Sequence, residues 1–220
     1  MASIERTAYP RFKPTPTTQE LLDLYTPTPE ELTFAQSLTR SPTQLLTLLV
    51  LRKAFQRLGY FPRLMEVPEA IVPHMRGCLR LGGGVALGYE APRLLDRHYR
   101  AIRTYLQVLA YGREARHQVI HAVYAAAQRM DNPADLINVA LETLIKERYE
   151  LPAFSTVDRL VRRVRTLVNQ RFFSAVFQRL STADQARLDA LLIPDPRLHR
   201  SLYNRLKQVP KRPTLTHLQE

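Results

Sequence analysis

Apolar residues recur at intervals of three and four through most of the chain, and nowhere do they alternate as strand residues would. The pattern predicts helices and little else. Thr28-Pro29-Glu30-Glu31 has the grammar of a helix start: Thr28 can cap, Pro29 suits the first helical position, and acids favour the first turn. Ser41-Pro42 repeats it and opens a strongly apolar helix to Leu58, which Gly59 ends. Further helices are predicted from Pro68 through Leu79, from Pro92 to about Leu109, and from Gly112 to Arg129. Asp131-Asn132-Pro133 caps another that ends near Tyr149. All seven glycines lie between Gly59 and Gly112, so the C-terminal half reads as helix with short turns, cut at Pro152 and Ser181. Residues 1–19, with Pro10, Pro14 and Pro16, are expected to be an extended, flexible arm. The fold class expected is all-α.

Segment 131–180 is the most informative. A helix from Pro133 is followed by the turn Glu150-Leu151-Pro152-Ala153-Phe154 and a second helix beginning at Ser155 or Thr156. On a helical wheel, Val157, Leu160, Val161, Val164, Leu167, Val168 and Ala175 form one apolar face. The opposite face collects Ser155, Arg159, Arg162, Arg163, Thr166, Asn169 and Gln170, with no carboxylate among them. Such donors suit phosphate oxygens and base edges, and helix, tight turn and helix is the layout of a helix-turn-helix reader. A solvated structural face is the other reading. The helix from Pro92 shows a weaker version: Leu94, Leu95, Ile102, Leu106 and Leu109 face the core, while Arg93, Arg97, Arg100 and Arg103 lie opposite and Asp96 dilutes the face. Arg52, Lys53 and Arg57 on the 42–58 helix complete the set of candidate DNA contacts.

Charge sharpens this. The 220 residues carry a net charge of +12, and of 32 basic residues only Lys13, Lys53, Lys146, Lys207 and Lys211 are lysines. Arginine dominance suits bidentate recognition of phosphate and guanine, although a GC-rich genome also inflates arginine. Segments 41–129 and 151–180 are strongly basic, while 130–150 between them is net acidic, which compositional drift alone does not produce. Hydrophobic residues at 45% and charged residues at 24% are ordinary globular values. The best apolar run, Leu45 to Leu51, falls well short of the roughly 18 residues of a membrane span. Without an apolar N-terminal signal, and with Cys78 as the single cysteine, a cytoplasmic, nucleoid-associated setting with no membrane partner is expected.

Catalytic chemistry finds little support. His117 and His121, with Glu114 a turn earlier, lack the glutamate of a zinc peptidase motif, and Gly82-Gly83-Gly84 lacks the lysine of a phosphate loop. His98 reads as a hydrogen-bonded core histidine and Cys78 as a small core residue. The acids are dispersed and explained as caps or dipole partners, so neither a two-metal centre nor any cofactor is expected.

Several short segments stand out by their order along the chain. They are Tyr25-Thr26-Pro27-Thr28-Pro29-Glu30-Glu31-Leu32, Leu51-Arg52-Lys53-Ala54-Phe55-Gln56-Arg57-Leu58-Gly59-Tyr60-Phe61-Pro62, Val67-Pro68 and Arg97-His98-Tyr99-Arg100-Ala101-Ile102-Arg103-Thr104-Tyr105-Leu106. Arg159-Leu160-Val161-Arg162, Leu188-Asp189-Ala190-Leu191-Leu192 and Leu206-Lys207-Gln208-Val209-Pro210-Lys211-Arg212-Pro213-Thr214-Leu215 follow. Taken in this order, the segments resemble the N-terminal region of the replicative transposases of the Tn-three family. The chain departs from the family at Pro42-Thr43-Gln44, where Arg-Leu-Gly is usual, and at Gln107, where glycine is usual. The resemblance implies two helical DNA-binding units of helix-turn-helix type in tandem: a first unit at 20–129, a second at 130–192, and 193–220 as a linker to a C-terminal region. It implies double-stranded DNA as partner, specifically the terminal inverted repeat, and a homodimer formed through regions beyond this chain. The ribonuclease-H-like catalytic domain that follows in full-length members is missing here, so no enzyme activity is expected. A stand-alone repressor derived from such a transposase and an all-α protein-interaction scaffold are the competing readings.

Overall fold

The computed structural model describes residues 3–89, 91–196 and 199–207. Its helices are α1 (Thr18–Glu20), α2 (Pro29–Leu38), α3 (Pro42–Leu58), α4 (Ile71–Leu79), α5 (Pro92–Leu106), α6 (Arg113–Ala127), α7 (Pro133–Lys146), α8 (Phe154–Phe177), α9 (Thr182–Ala190) and α10 (Leu202–Leu206). Among the described residues extended pairing is limited to two isolated bridges, Leu109 with Tyr149 and Pro194 with Ser201. The fold is all-α.

The capping grammar is realised. The Thr28 and Ser41 hydroxyls accept from the backbone N–H groups of Glu31 and Gln44, and Pro29 and Pro42 open α2 and α3. The Asn132 side chain accepts from the Ala134 N–H and the Ser181 hydroxyl from that of Asp184. Gly59 ends α3 in the left-handed region at φ 73°, which favours glycine, and a Cβ there would lie 3.2 Å from Leu151 Cδ1, so a larger residue would also have to displace that side chain. Several boundaries shift from expectation by one to three residues, two of them for visible reasons. Pro68 to Ala70 form a turn before α4, and α5 stops at Leu106 because Gln107 turns left-handed at φ 53°.

The chain divides into two compact units at Val168 and Asn169, within the length of α8. The first contains two hydrophobic cores. One is built around α3, whose residues Leu46 to Phe55 are all buried, Thr47, Arg52 and Lys53 included. Tyr25, Ala35, Val67, Ile71, Met75 and Ile102 close it from the surrounding segments. The other gathers Ala115, Val119 and Val123 of α6, Leu136, Ile137, Ala140, Leu141 and Leu144 of α7, and Val157, Leu160, Val161, Val164 and Val168 of α8. Helix α6, read from the sequence as the end of the first unit, contributes its buried face to this second core.

The N-terminal segment is not a free arm. Tyr9 is buried in the second core against Tyr60 and Phe154, and its hydroxyl donates to the Pro152 carbonyl at 3.0 Å. The Ala8 N–H donates to Asn138 Oδ1 at 2.8 Å, while Phe12 packs on the first core. Thr17 and Glu20 form a capping box that starts α1, which continues into a wider turn over Leu21–Tyr25. The expectation of a flexible 1–19 segment is therefore corrected for its described residues, 3–19: aromatic burial and hydrogen bonds hold them down.

The seven residues between α7 and α8 are sewn to the rest of this unit. The Leu151 N–H donates to the Gly59 carbonyl at 2.8 Å, the Glu150 N–H to the Leu109 carbonyl at 2.8 Å, and the Leu109 N–H to the Arg148 carbonyl at 2.8 Å. Such bonds fix the direction in which α8 leaves.

The second unit comprises the remainder of α8, then α9 and α10. The Gln185 amide donates to the carbonyls of Phe177 and Leu180, and the Tyr203 N–H to the Leu191 carbonyl. Phe172, Phe173, Val176, Phe177 and Leu188 are all exposed. Ser201 caps α10 within the stretch expected to be a linker. The rest of that linker, and of the last resembling segment, lies outside the described residues from 208 onward.

Candidate nucleic-acid interface

The residues expected to touch DNA fall into three groups. Arg52 and Lys53 are buried, with side chains 4% and 6% exposed, and both pair with Glu31, Lys53 Nζ at 2.8 Å. Arg52 also lies over the Tyr105 ring. Burial pushes the Glu31 carboxyl up, but the Lys53 hydrogen bond, the Thr28 N–H and the two cations outweigh it and hold the group below its ordinary range. These two cations therefore serve the core; the sequence reading of them as DNA contacts is corrected because α3 is central rather than peripheral.

Arg103 and Arg162 have internal partners. Arg103 Nη1 donates to Glu150 Oε2 at 2.8 Å, joining α5 to the segment before α8, and its guanidinium lies over Phe61. Arg162 Nη2 donates to the buried carboxylate of Asp158 at 2.5 Å, one turn back on the same helix. The polar face of α8, acid-free in the sequence reading, is thus served by the carboxylate of Asp158 at its edge. Arg165 pairs with Asp131 and ties α8 to the start of α7.

The third group lies at or near the surface. Arg57 is exposed at the end of α3, and Arg93, Arg97 and Arg100 are exposed along α5. Ser155, Arg159, Arg163 and Thr166 are exposed on the side of α8 opposite Val157, Leu160, Val161, Val164 and Val168. Asn169 and Gln170 belong to the second unit, Asn169 half-buried and Gln170 exposed. The apolar face ends sooner than expected: Leu167 is 43% exposed and Ala175 is exposed, since the second core stops at Val168.

The sequence reading missed Arg116. It stands one turn into α6, exposed, and faces α8 beside Arg159 and Arg163. No spacing rule links a residue on α6 to one on α8, so only the tertiary fold reveals the juxtaposition. His98 is fully buried, with Nδ1 3.0 Å from the Tyr89 hydroxyl, as a hydrogen-bonded core histidine should be. Cys78, expected in the core, is exposed on α4 with its Sγ 3.7 Å from His74 Nε2. His117 and His121 are exposed. No described helix is long and apolar enough to cross a membrane.

Comparison with known proteins supplies the family. The family model described as "Domain of unknown function (DUF4158)" matches residues 1–164. The chain is also 30% identical over 123 residues to a protein named "Transposase for transposon Tn501" from Pseudomonas aeruginosa. That match covers 56% of this chain and 12% of the relative, so the chain spans only a small part of the relative's length. The chain belongs to the DUF4158 family, and its likeness is to the N-terminal region of the Tn-three family transposases.

Proposed function

We propose that this chain serves transposition by binding double-stranded DNA, with the terminal inverted repeat of a transposon as its specific site. The observation that carries the reading is the free outer face of α8. Ser155, Arg159, Arg163 and Thr166 stand exposed on a helix whose other side is locked into the α6–α7 core. A rigid helix presenting donors, held at a fixed angle by its preceding turn, is what a major groove accepts, and α7 with α8 would act as the helix-turn-helix pair. Arg93, Arg97 and Arg100 on α5 form a second exposed basic row, which suits a second contact on the same duplex. The net charge of +12 supports backbone binding, and the transposase relative supports DNA as the partner. The chain on this reading is a binding part, and strand chemistry belongs elsewhere in a transposase.

The test is an electrophoretic mobility shift with inverted-repeat duplex against a scrambled duplex of the same composition. Tighter binding to the inverted repeat, weakening steeply with salt, is the expected outcome. Equal binding to both duplexes would remove the sequence-specific part of the proposal, and no binding to either would remove the whole.

A further inference from the structure

Tyr111, Arg116, Thr156, Arg159, Leu160 and Arg163 line a cleft of about 290 Å³ between the starts of α6 and α8. Three arginines from two helices line it together. All three are exposed, and among the described residues none of them has a carboxylate partner. Arg103, Arg162 and Arg165 nearby are each neutralised by an acid. The contrast matters, because like charges drawn together without a counter-charge repel, and folding leaves that repulsion for an anion to relieve.

The rest of the cleft favours the same occupant. Leu160 is buried and Tyr111 half-buried, so one wall is apolar and strengthens any charge interaction beside it. Burial also pushes the Tyr111 phenol up despite Arg116, which keeps its proton available for donation. Thr156 adds a hydroxyl in the first turn of α8, and the positive ends of both α6 and α8 lie at the cleft. Every polar side chain lining it is a donor, and arginine forks match the geometry of phosphate oxygens.

We propose that this cleft seats one phosphodiester of the bound duplex, with Arg116 of α6 completing a clamp begun by Arg159 and Arg163 of α8. The proposal rests on the DNA-binding reading and deepens it. It makes Arg116 a positioning residue that fixes how α8 enters the groove, and of the two ligands open to Arg159 and Arg163, phosphate oxygens and base edges, it assigns them the phosphate.

The experiment measures affinity of the full chain, Arg116→Ala, Arg116→Lys and Arg163→Ala for inverted-repeat and scrambled duplexes across a salt series. Arg116→Ala and Arg163→Ala should each weaken both duplexes by the same factor, about tenfold or more. Each should lower the salt dependence by about one phosphate. Arg116→Lys should keep the salt dependence and lose only part of the affinity, since the charge stays and the fork goes. Thermal melting of the DNA-free protein should not fall in either alanine variant and should rise slightly, as neither side chain has an internal partner and the repulsion among the three arginines is reduced. Parent-like affinity and salt slope in both alanine variants, with a parent that does bind, would overturn this clamp and leave the DNA reading standing. A loss confined to the inverted repeat would mark these arginines as base readers and also overturn it. Saturable binding of inorganic phosphate that Arg116→Ala abolishes, with duplex affinity intact, would assign the cleft to a free anion. A parent that shifts neither duplex would fell the DNA reading itself.

Discussion

The Tyr9 hydroxyl donates to the carbonyl of Pro152, two residues before α8, so the N-terminal segment reaches the helix that carries the candidate interface. The ring fills a slot between Tyr60 and Phe154, with centroids 5.4 and 5.5 Å away. Tyr9→Ala should cost about 3–5 kcal/mol, the range for removing a buried aromatic. Tyr9→Phe keeps the packing and loses one hydrogen bond, for about 1 kcal/mol. Urea titrations of both variants check this, and a Tyr9→Ala protein as stable as the parent would show that the segment is not part of the core.

The Glu31 cluster predicts a pH dependence. The folded carboxyl lies below its ordinary value of 4.5, so the stabilisation it supplies is fully present above that value and is lost as pH falls through the folded one. Acid should therefore lower the melting temperature more steeply in the parent than in Glu31→Gln. That variant should itself be less stable at neutral pH by about 3–5 kcal/mol, because Arg52 and Lys53 remain buried without their anion. Melting scans from pH 7 to pH 3 distinguish the two. Parallel pH profiles would mean that the ion pair contributes nothing to acid sensitivity.

Much of the fold was legible because its signals are local. A capping hydroxyl followed by proline marks α2 and α3, Asn132 marks α7, and Ser181 marks α9. The Thr17 and Glu20 capping box was equally readable, yet the flanking prolines masked it. What periodicity cannot report is which helix becomes the centre. Helix α3 looks like a surface helix at Arg52 and Lys53 until α2 delivers Glu31 against them. The same limit applied to Arg103, claimed by Glu150 from a distant turn, and to Arg116, brought beside α8 only by the packing of α6 and α7. Asp158 sits next to the polar face of α8 and could have been foreseen, since Arg162 follows it by four residues.

Gln107 offers a stabilising substitution. It ends α5 at φ 53°, a left-handed conformation that costs an ordinary residue about 1–2 kcal/mol. Glycine, usual at this point in the family that the sequence resembles, has no such cost, and the bond lost, from Arg148 to the Gln107 side chain, is exposed. Gln107→Gly should raise stability by about 1 kcal/mol. A lower melting temperature would show that the exposed bond to Arg148 outweighs the backbone relief.

The remaining prediction concerns what can be cut from the chain. A fragment from residue 131 to 192 contains α7, α8 and α9 and looks from the sequence like an independent DNA-binding unit. Its core says otherwise. Leu136, Ile137, Ala140, Leu141 and Leu144 pack against Ala115, Val119 and Val123 of α6, with Tyr9 sealing the end near Phe154. Removing α6 exposes an apolar face on α7, and α8 alone cannot bury it. The turn before α8 also loses Gly59 and Leu109 as hydrogen-bond partners, so the helix that presents Arg159 and Arg163 loses its fixed direction. The fragment should show reduced helicity, no cooperative melting transition and little affinity for duplex DNA. One that begins at residue 108 restores α6 and should recover much of the helicity. Circular dichroism melts of the two fragments beside the full chain decide the matter. A cooperative transition in the 131–192 fragment would mean that the α6 contacts are dispensable and that the second core closes without them.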